Sequence, residues 1–82
     1  MNDFTAGAMP LSFMAIGDTA ELVDIHGTSD FRKRMADLGL TVGTRVRVVQ
    51  NAPDSPMILA FRDDARLALG HGVSHKLIAT RQ

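Results

Sequence analysis

The spacing of apolar and polar positions changes along this chain, and each change marks an element. From Ser29 to Leu38, the apolar residues Phe31, Met35 and Leu38 recur at i, i+4 and i+7, with Arg32, Lys33, Arg34 and Asp37 between them. That spacing predicts a short amphipathic helix over 29–38. Ser29 is the expected N-cap, and Asp30 then sits where the helix dipole favours negative charge. Gly39 is expected to take the left-handed conformation past the helix end, with Leu40 folding back on Met35 as in a Schellman motif. Gly43 suits the position of a type II turn that needs positive φ. The period then drops to two: Val46 and Val48 alternate with Arg45 and Arg47, which predicts a strand over 44–50.

The same reading places the other elements. Residues 1–10 lack periodicity and are expected to be a flexible tail ending at Pro10. Leu11–Ile16 is a short apolar run, either a first strand or an irregular lead-in, closed by the Gly17-Asp18 turn signal. Ala20–Ile25 suits a half-buried strand, with Ala20, Leu22 or Val23, and Ile25 inward. Asn51–Pro56 carries two prolines and is a loop. Met57–Phe61 and Ala65–Leu69 read as a hairpin about Asp63-Asp64. Gly70–His75 is a one-turn connection, and Lys76–Thr80 a closing strand. Five to six short strands and one helix fill residues 11–80. Strands this short are most economically protected by closure, so the expected fold is mainly β, a small SH3-like barrel with the helix of 29–38 inserted. The alternative is an α+β sheet covered by one helix.

Composition narrows the function classes. Eighty-two residues make one domain. The hydrophobic share of 45% and charged share of 22% are those of a soluble globule. Nine basic residues balance nine acidic ones, so no global charge directs the chain to nucleic acid or an anionic membrane. Cysteine is absent, which removes disulfides, thiolate metal sites and thiol nucleophiles. No apolar run approaches the roughly 20 residues that span a bilayer, and the first residues lack a basic n-region. A cytoplasmic domain without membrane insertion is the expectation; nothing in the composition decides between monomer and homo-oligomer.

Three residue groups carry candidate chemistry. His71 and His75 are spaced i, i+4, which on a helical turn places both imidazoles on one face. Two histidines are half a metal site. His26 is the only other histidine, so completion would need carboxylates such as Asp63 or Asp64, or a second chain, and the donors would suit weakly bound Fe(II) or Zn(II). The bland reading is two solvated histidines in a connector. Arg32, Lys33, Arg34, Arg45 and Arg47 share their stretch with a single acid, Asp37. They form either a docking face for an acidic partner or a solvated polar face. With four phenylalanines and neither Trp nor Tyr, the chain lacks the basic–aromatic interleaving of nucleic-acid binders. Ser74-His75 are adjacent but carry no glycine elbow, and no phosphate-cradling loop occurs, so no catalytic residues are assigned and no enzyme is expected. Met14, Met35 and Met57 read as core filler.

The stretch RMADLGLTVGTRVRVVQNAPDSPMIL, with Leu38, Gly39, Leu40, Gly43, Val46, Val48, Ala52, Pro53 and Pro56, resembles the FeoA family. The later LALGHGVSHKLIAT, through Leu67, Leu69, Gly70 and Ile78, and the leading Leu11, Gly17 and Ala20 continue the likeness over residues 11–80. Val42 stands where a proline is common, Asp63-Asp64 where a glycine turn is usual, and Ser74 where alanine is usual. The same SH3-like domain resembles the C-terminal module of iron-dependent repressors. The resemblance implies a small cytoplasmic accessory protein of ferrous-iron transport that binds the cytoplasmic, GTP-binding portion of a FeoB-type transporter. Two other functions stay open: a transition-metal-binding or sensing module built on His71 and His75, and a generic SH3-like peptide-binding domain.

Overall fold

The computed structural model describes residues 7–62 and 65–82. In chain order the elements are β1 (Ala8–Pro10), a 3-10 turn (Leu11–Phe13), β2 (Thr19–Ile25), α1 (Ser29–Asp37), β3 (Arg45–Gln50), β4 (Met57–Phe61), β5 (Ala65–Leu69), α2 (His71–Ser74) and β6 (Leu77–Arg81). The strands form one antiparallel sheet in the order β1-β6-β2-β3-β4-β5. The sheet coils around a single core, the SH3-like barrel expected from the strand count.

Alternation places the core. Ala20, Leu22 and Ile25 of β2, Val46 and Val48 of β3, and Met57, Leu59 and Phe61 of β4 point inward. They meet Leu11 and Met14 from the N-terminal turn, and Met35 and Leu40 from the helix region, in one cluster. The jump from Leu22 to Ile25 on the inner face comes from a register shift between Leu22 and Asp24 against β6. A second shift falls between Val48 and Gln50 against β4. Such bulges bend and twist a strand, and here they help a sheet of short strands to coil. β6 lies inside the sheet between β1 and β2, and accordingly reads as a continuous apolar run, Leu77, Ile78 and Ala79, all buried.

Three details differ from the sequence expectations. Ala8–Pro10, expected as the end of a tail, form β1 and pair with β6 through Ala8–Thr80, Met9–Ala79 and Pro10–Ile78. β6 needs a partner on that side, and a proline at the terminus of an edge strand costs the ladder little. The rest of the expected tail, residues 1–6, and the Asp63-Asp64 turn lie outside the described residues.

Thr28, and not Ser29, caps α1. Its backbone is extended (ψ 165°) and its Oγ1 accepts from the Phe31 N–H at 3.1 Å, while Ser29 is already helical. Either hydroxyl can cap; the one on the last extended residue does.

The apolar stripe is also shorter than its spacing suggested. Met35 is buried and Phe31 half-buried, but Leu38 is 42% exposed. The chain reverses at Gly39 (φ +96°), so Leu40, with no exposed surface, occupies the core position that a continued helix would have offered to Leu38.

The turns follow their glycines. Gly43 has φ +98°, and the Thr44 N–H donates to the Thr41 carbonyl at 3.0 Å, closing the turn that starts β3. In the proline-bearing loop after β3, the Asn51 side-chain amide donates to the carbonyls of Ser12 (3.1 Å) and Met14 (2.7 Å). One side chain thus holds the N-terminal turn against the barrel.

Candidate functional site

Gly70 is the extended residue before α2, and Gly72 lies within it, so His71–Ser74 make one helical turn with His75 as its C-cap. The two imidazoles reach to different parts of the fold. His71 Nε2 donates to the Ala52 carbonyl at 3.0 Å, tying α2 to the loop after β3. That bond leaves His71 only Nδ1 as a lone pair for any ligand. His75 Nδ1 lies 3.2 Å from Ser12 Oγ, and its ring is tilted against Phe13 with centroids 6.0 Å apart. The histidines thus fasten α2 to two neighbouring segments. Among the described residues, no group of three or more histidine, aspartate and glutamate side chains is gathered as a metal centre. Asp63 and Asp64, the carboxylates that could have completed one, lie outside those residues.

Ser74 is fully buried, and its hydroxyl donates to the His71 carbonyl at 3.2 Å. It is engaged within its own turn and does not face His75 as a nucleophile would. Met14, Met35 and Met57 are buried in the core cluster, as their positions suggested.

The cations divide into two groups. Arg32, Lys33 and Arg34 lie on the exposed side of α1, where Arg32 makes a long contact of 3.5 Å to the Gly27 carbonyl. Arg45 and Arg47 project from the outer face of β3 into a shallow groove of about 290 Å³, lined also by Thr19, Ala60, Phe61 and Arg62. Register explains the depression. Thr19 pairs with Arg47, Arg47 with Ala60, and Ala60 with Arg66, so these four side chains form one row across β2, β3, β4 and β5. The small Ala60 leaves a gap between two arginines.

Arg45 is partly neutralised by Glu21, at 3.7 Å. Among the described residues, Arg47, Arg62 and Arg66 have no ion-pair partner. Arg62 and Arg66 were missed in the sequence because no local period links them to β3; only strand pairing does. Arg62 is also the one non-glycine among the described residues with positive φ (56°). Its guanidinium lies 6.0 Å from the Phe61 ring centroid, and a Cβ on Gly39 would come within 3.2 Å of its Nη2. A cation at the end of α1 complements the negative pole of the helix dipole.

A small barrel with an arginine-lined outer face and an inserted, capped helix defines the class: an SH3-like module. The FeoA domain model matches residues 9–81, and the chain belongs to the FeoA family, which implies a part in ferrous-iron transport. Its fold is similar to a crystal structure titled iron uptake regulatory protein (FeoA), with a TM-score of 0.84 and 29% identity over 92% of this chain and 99% of that one. It is similar to the FeoA protein from Chlorobium tepidum, with a TM-score of 0.78 and 26% identity over 89% of this chain and 70% of that one. A manganese-dependent transcriptional repressor in complex with manganese shares the fold, with a TM-score of 0.85 and 20% identity over 95% of this chain, which spans only 38% of the repressor. No curated protein is significantly similar in sequence. No helix among the described residues is long and apolar enough to cross a membrane.

Proposed function

We propose that the chain is a cytoplasmic accessory protein of ferrous-iron uptake that binds the cytoplasmic, GTP-binding portion of a FeoB-type transporter and catalyses no reaction itself. The observation that carries the proposal is the FeoA domain running from residue 9 to 81, almost the whole chain. The physical reading agrees with it. The core is filled by apolar side chains, and the polar groups singled out above serve as caps and staples. What the module offers is therefore its exterior. Binding would favour one conformation of the transporter by differential affinity for that state. The docking cations in this reading are Arg32, Lys33 and Arg34 on α1 with Arg45 and Arg47 on β3.

The test is isothermal titration of the chain against the purified cytoplasmic portion of the transporter from the same cell, in GDP- and GTP-analogue-bound states. It is coupled to ferrous-iron uptake in a strain lacking the chain. Binding to one state together with slowed uptake on deletion is the expected result. Normal uptake without the chain, or no binding at 100-fold molar excess, would overturn the proposal.

A further inference from the structure

We infer that the face formed by Arg47, Ala60, Arg66 and Arg62, together with the edge strand β5, takes an extended acidic peptide segment added as a further strand of the sheet. The inference rests on the reading of the chain as a binding module and names the chemistry of what it binds.

Four observations carry it. First, β5 ends the sheet: its ladder runs to β4 alone, and no other backbone hydrogen bond involves residues 65–69 among the described residues. One side of this strand therefore presents unpaired N–H and C=O groups, the template that strand addition uses. Secondly, Arg66 is exposed, and Ala68, which follows it on the same face of β5, is exposed and small. Thirdly, alternate side chains of an added strand would lie on the outer face beside Arg66. Behind it are the Ala60 gap and then Arg47, two strand spacings or about 10 Å away. Arg62 also lines the groove. Fourthly, Arg47 and Arg66 have no ion-pair partner among the described residues, so their guanidinium groups can pair with the carboxylates of an incoming segment. Guanidinium groups in a fixed fork pair with carboxylates in bidentate fashion, which suits an ordered peptide better than diffuse steering.

A nucleic acid fits this face poorly. The outward residues of the row are threonine, arginine and alanine, with no aromatic platform for bases, and Phe61 is turned into the core. Unlike the cations of α1, which stand on a helix without a free backbone edge, those beside β5 can act together with main-chain pairing.

The experiment uses the full chain and a fluorescein-labelled eight-residue peptide of alternating Glu and Thr, with its Gln–Thr counterpart, followed by fluorescence anisotropy at low salt and by backbone amide NMR. The expected result is binding of the Glu peptide at least tenfold tighter than the Gln peptide, with amide shifts concentrated on β5. The double variant Arg47→Gln/Arg66→Gln, whose substitutions are at exposed positions, weakens binding at least tenfold. Lys76→Gln, at an exposed position just before β6, changes it less than threefold. Amide spectra of both variants establish that the fold is intact. Four results would overturn the inference: equal binding of the Gln peptide, equal loss from Lys76→Gln, stronger binding of an eight-nucleotide oligothymidylate, or no binding at 1 mM protein. Transporter binding that survives Arg47→Gln/Arg66→Gln while the peptide fails would retire this groove alone. Peptide binding without any transporter binding would retire the transporter reading alone.

Discussion

The Leu40 N–H donates to the Met35 carbonyl at 2.8 Å, across the reversal that Gly39 makes at the end of α1. The parallel bond from the Gly39 N–H to the Ala36 carbonyl, 2.9 Å, completes a Schellman motif. It couples local geometry to the core, because both Met35 and Leu40 are buried. A nine-residue helix is marginal alone, so these two anchors hold it to the barrel. Gly39 is irreplaceable on two grounds: φ is +96°, and a Cβ would meet Phe61 Cε2 at 3.1 Å. Gly39→Val is expected to cost more than about 1 kcal/mol and to lower Tm by several degrees. A thermal melt indistinguishable from wild type would contradict the left-handed cap.

Asn51 lends itself to a sharper comparison. Its amide donates to two backbone carbonyls of the N-terminal segment, Ser12 and Met14. Removing it by Asn51→Ala leaves both acceptors short of a donor, at a cost of about 1–2 kcal/mol. Asn51→Asp sets a carboxylate against the same carbonyls and is expected to cost more than alanine, although it is closer in shape. Urea unfolding at neutral pH separates the two; an aspartate variant as stable as wild type would show that Asn51 does not pin the 3-10 turn.

His71 and His75 act here as fasteners of α2. His71→Ala loses the bond to Ala52, and His75→Ala loses Ser12 and the Phe13 contact, each expected to cost about 0.5–1.5 kcal/mol in the absence of metal. Chemical denaturation in chelator measures this directly. Repeating it with Fe(II) or Zn(II) under anaerobic conditions tests the metal-module alternative: a metal-dependent gain in wild type that both alanine variants lose would establish a site.

Glu21 is the one described acid paired with the arginine groove, through a contact of 3.7 Å to the largely exposed Arg45. An ion pair this open contributes little, so Glu21→Gln is expected to change stability by less than about 0.5 kcal/mol. It frees Arg45, however, and should tighten binding of an acidic partner or peptide roughly two- to threefold at low salt, an advantage that fades at high salt. Anisotropy titrations at two ionic strengths read both effects.

Much of the architecture was visible along the chain because it is written in local chemistry. The two-residue period of Val46 and Val48 marked β3, Gly39 and Gly43 marked the helix end and the turn, and prolines bounded the loop before β4. The misplaced details share a cause. Thr28 and Ser29 are equivalent caps until the backbone chooses which is extended. Leu38 and Leu40 compete for one core position until the chain reverses. Ala8–Pro10 have no strand pattern of their own and become β1 because β6 offers an edge.

By itself, then, the order of residues determined the element types, the core-facing alternation, the glycine-dependent turns and the FeoA likeness, since each depends on neighbours a few positions apart. Only the tertiary structure decided that Arg45 and Arg47 share a groove with Arg62 and stand in line with Arg66, that Glu21 reaches Arg45, and that His71 and His75 bind separate segments. These relations are set by strand register and by chain reversal, which bring together residues with no periodic link in sequence. A one-residue slip in pairing would turn the same arginines to the opposite face.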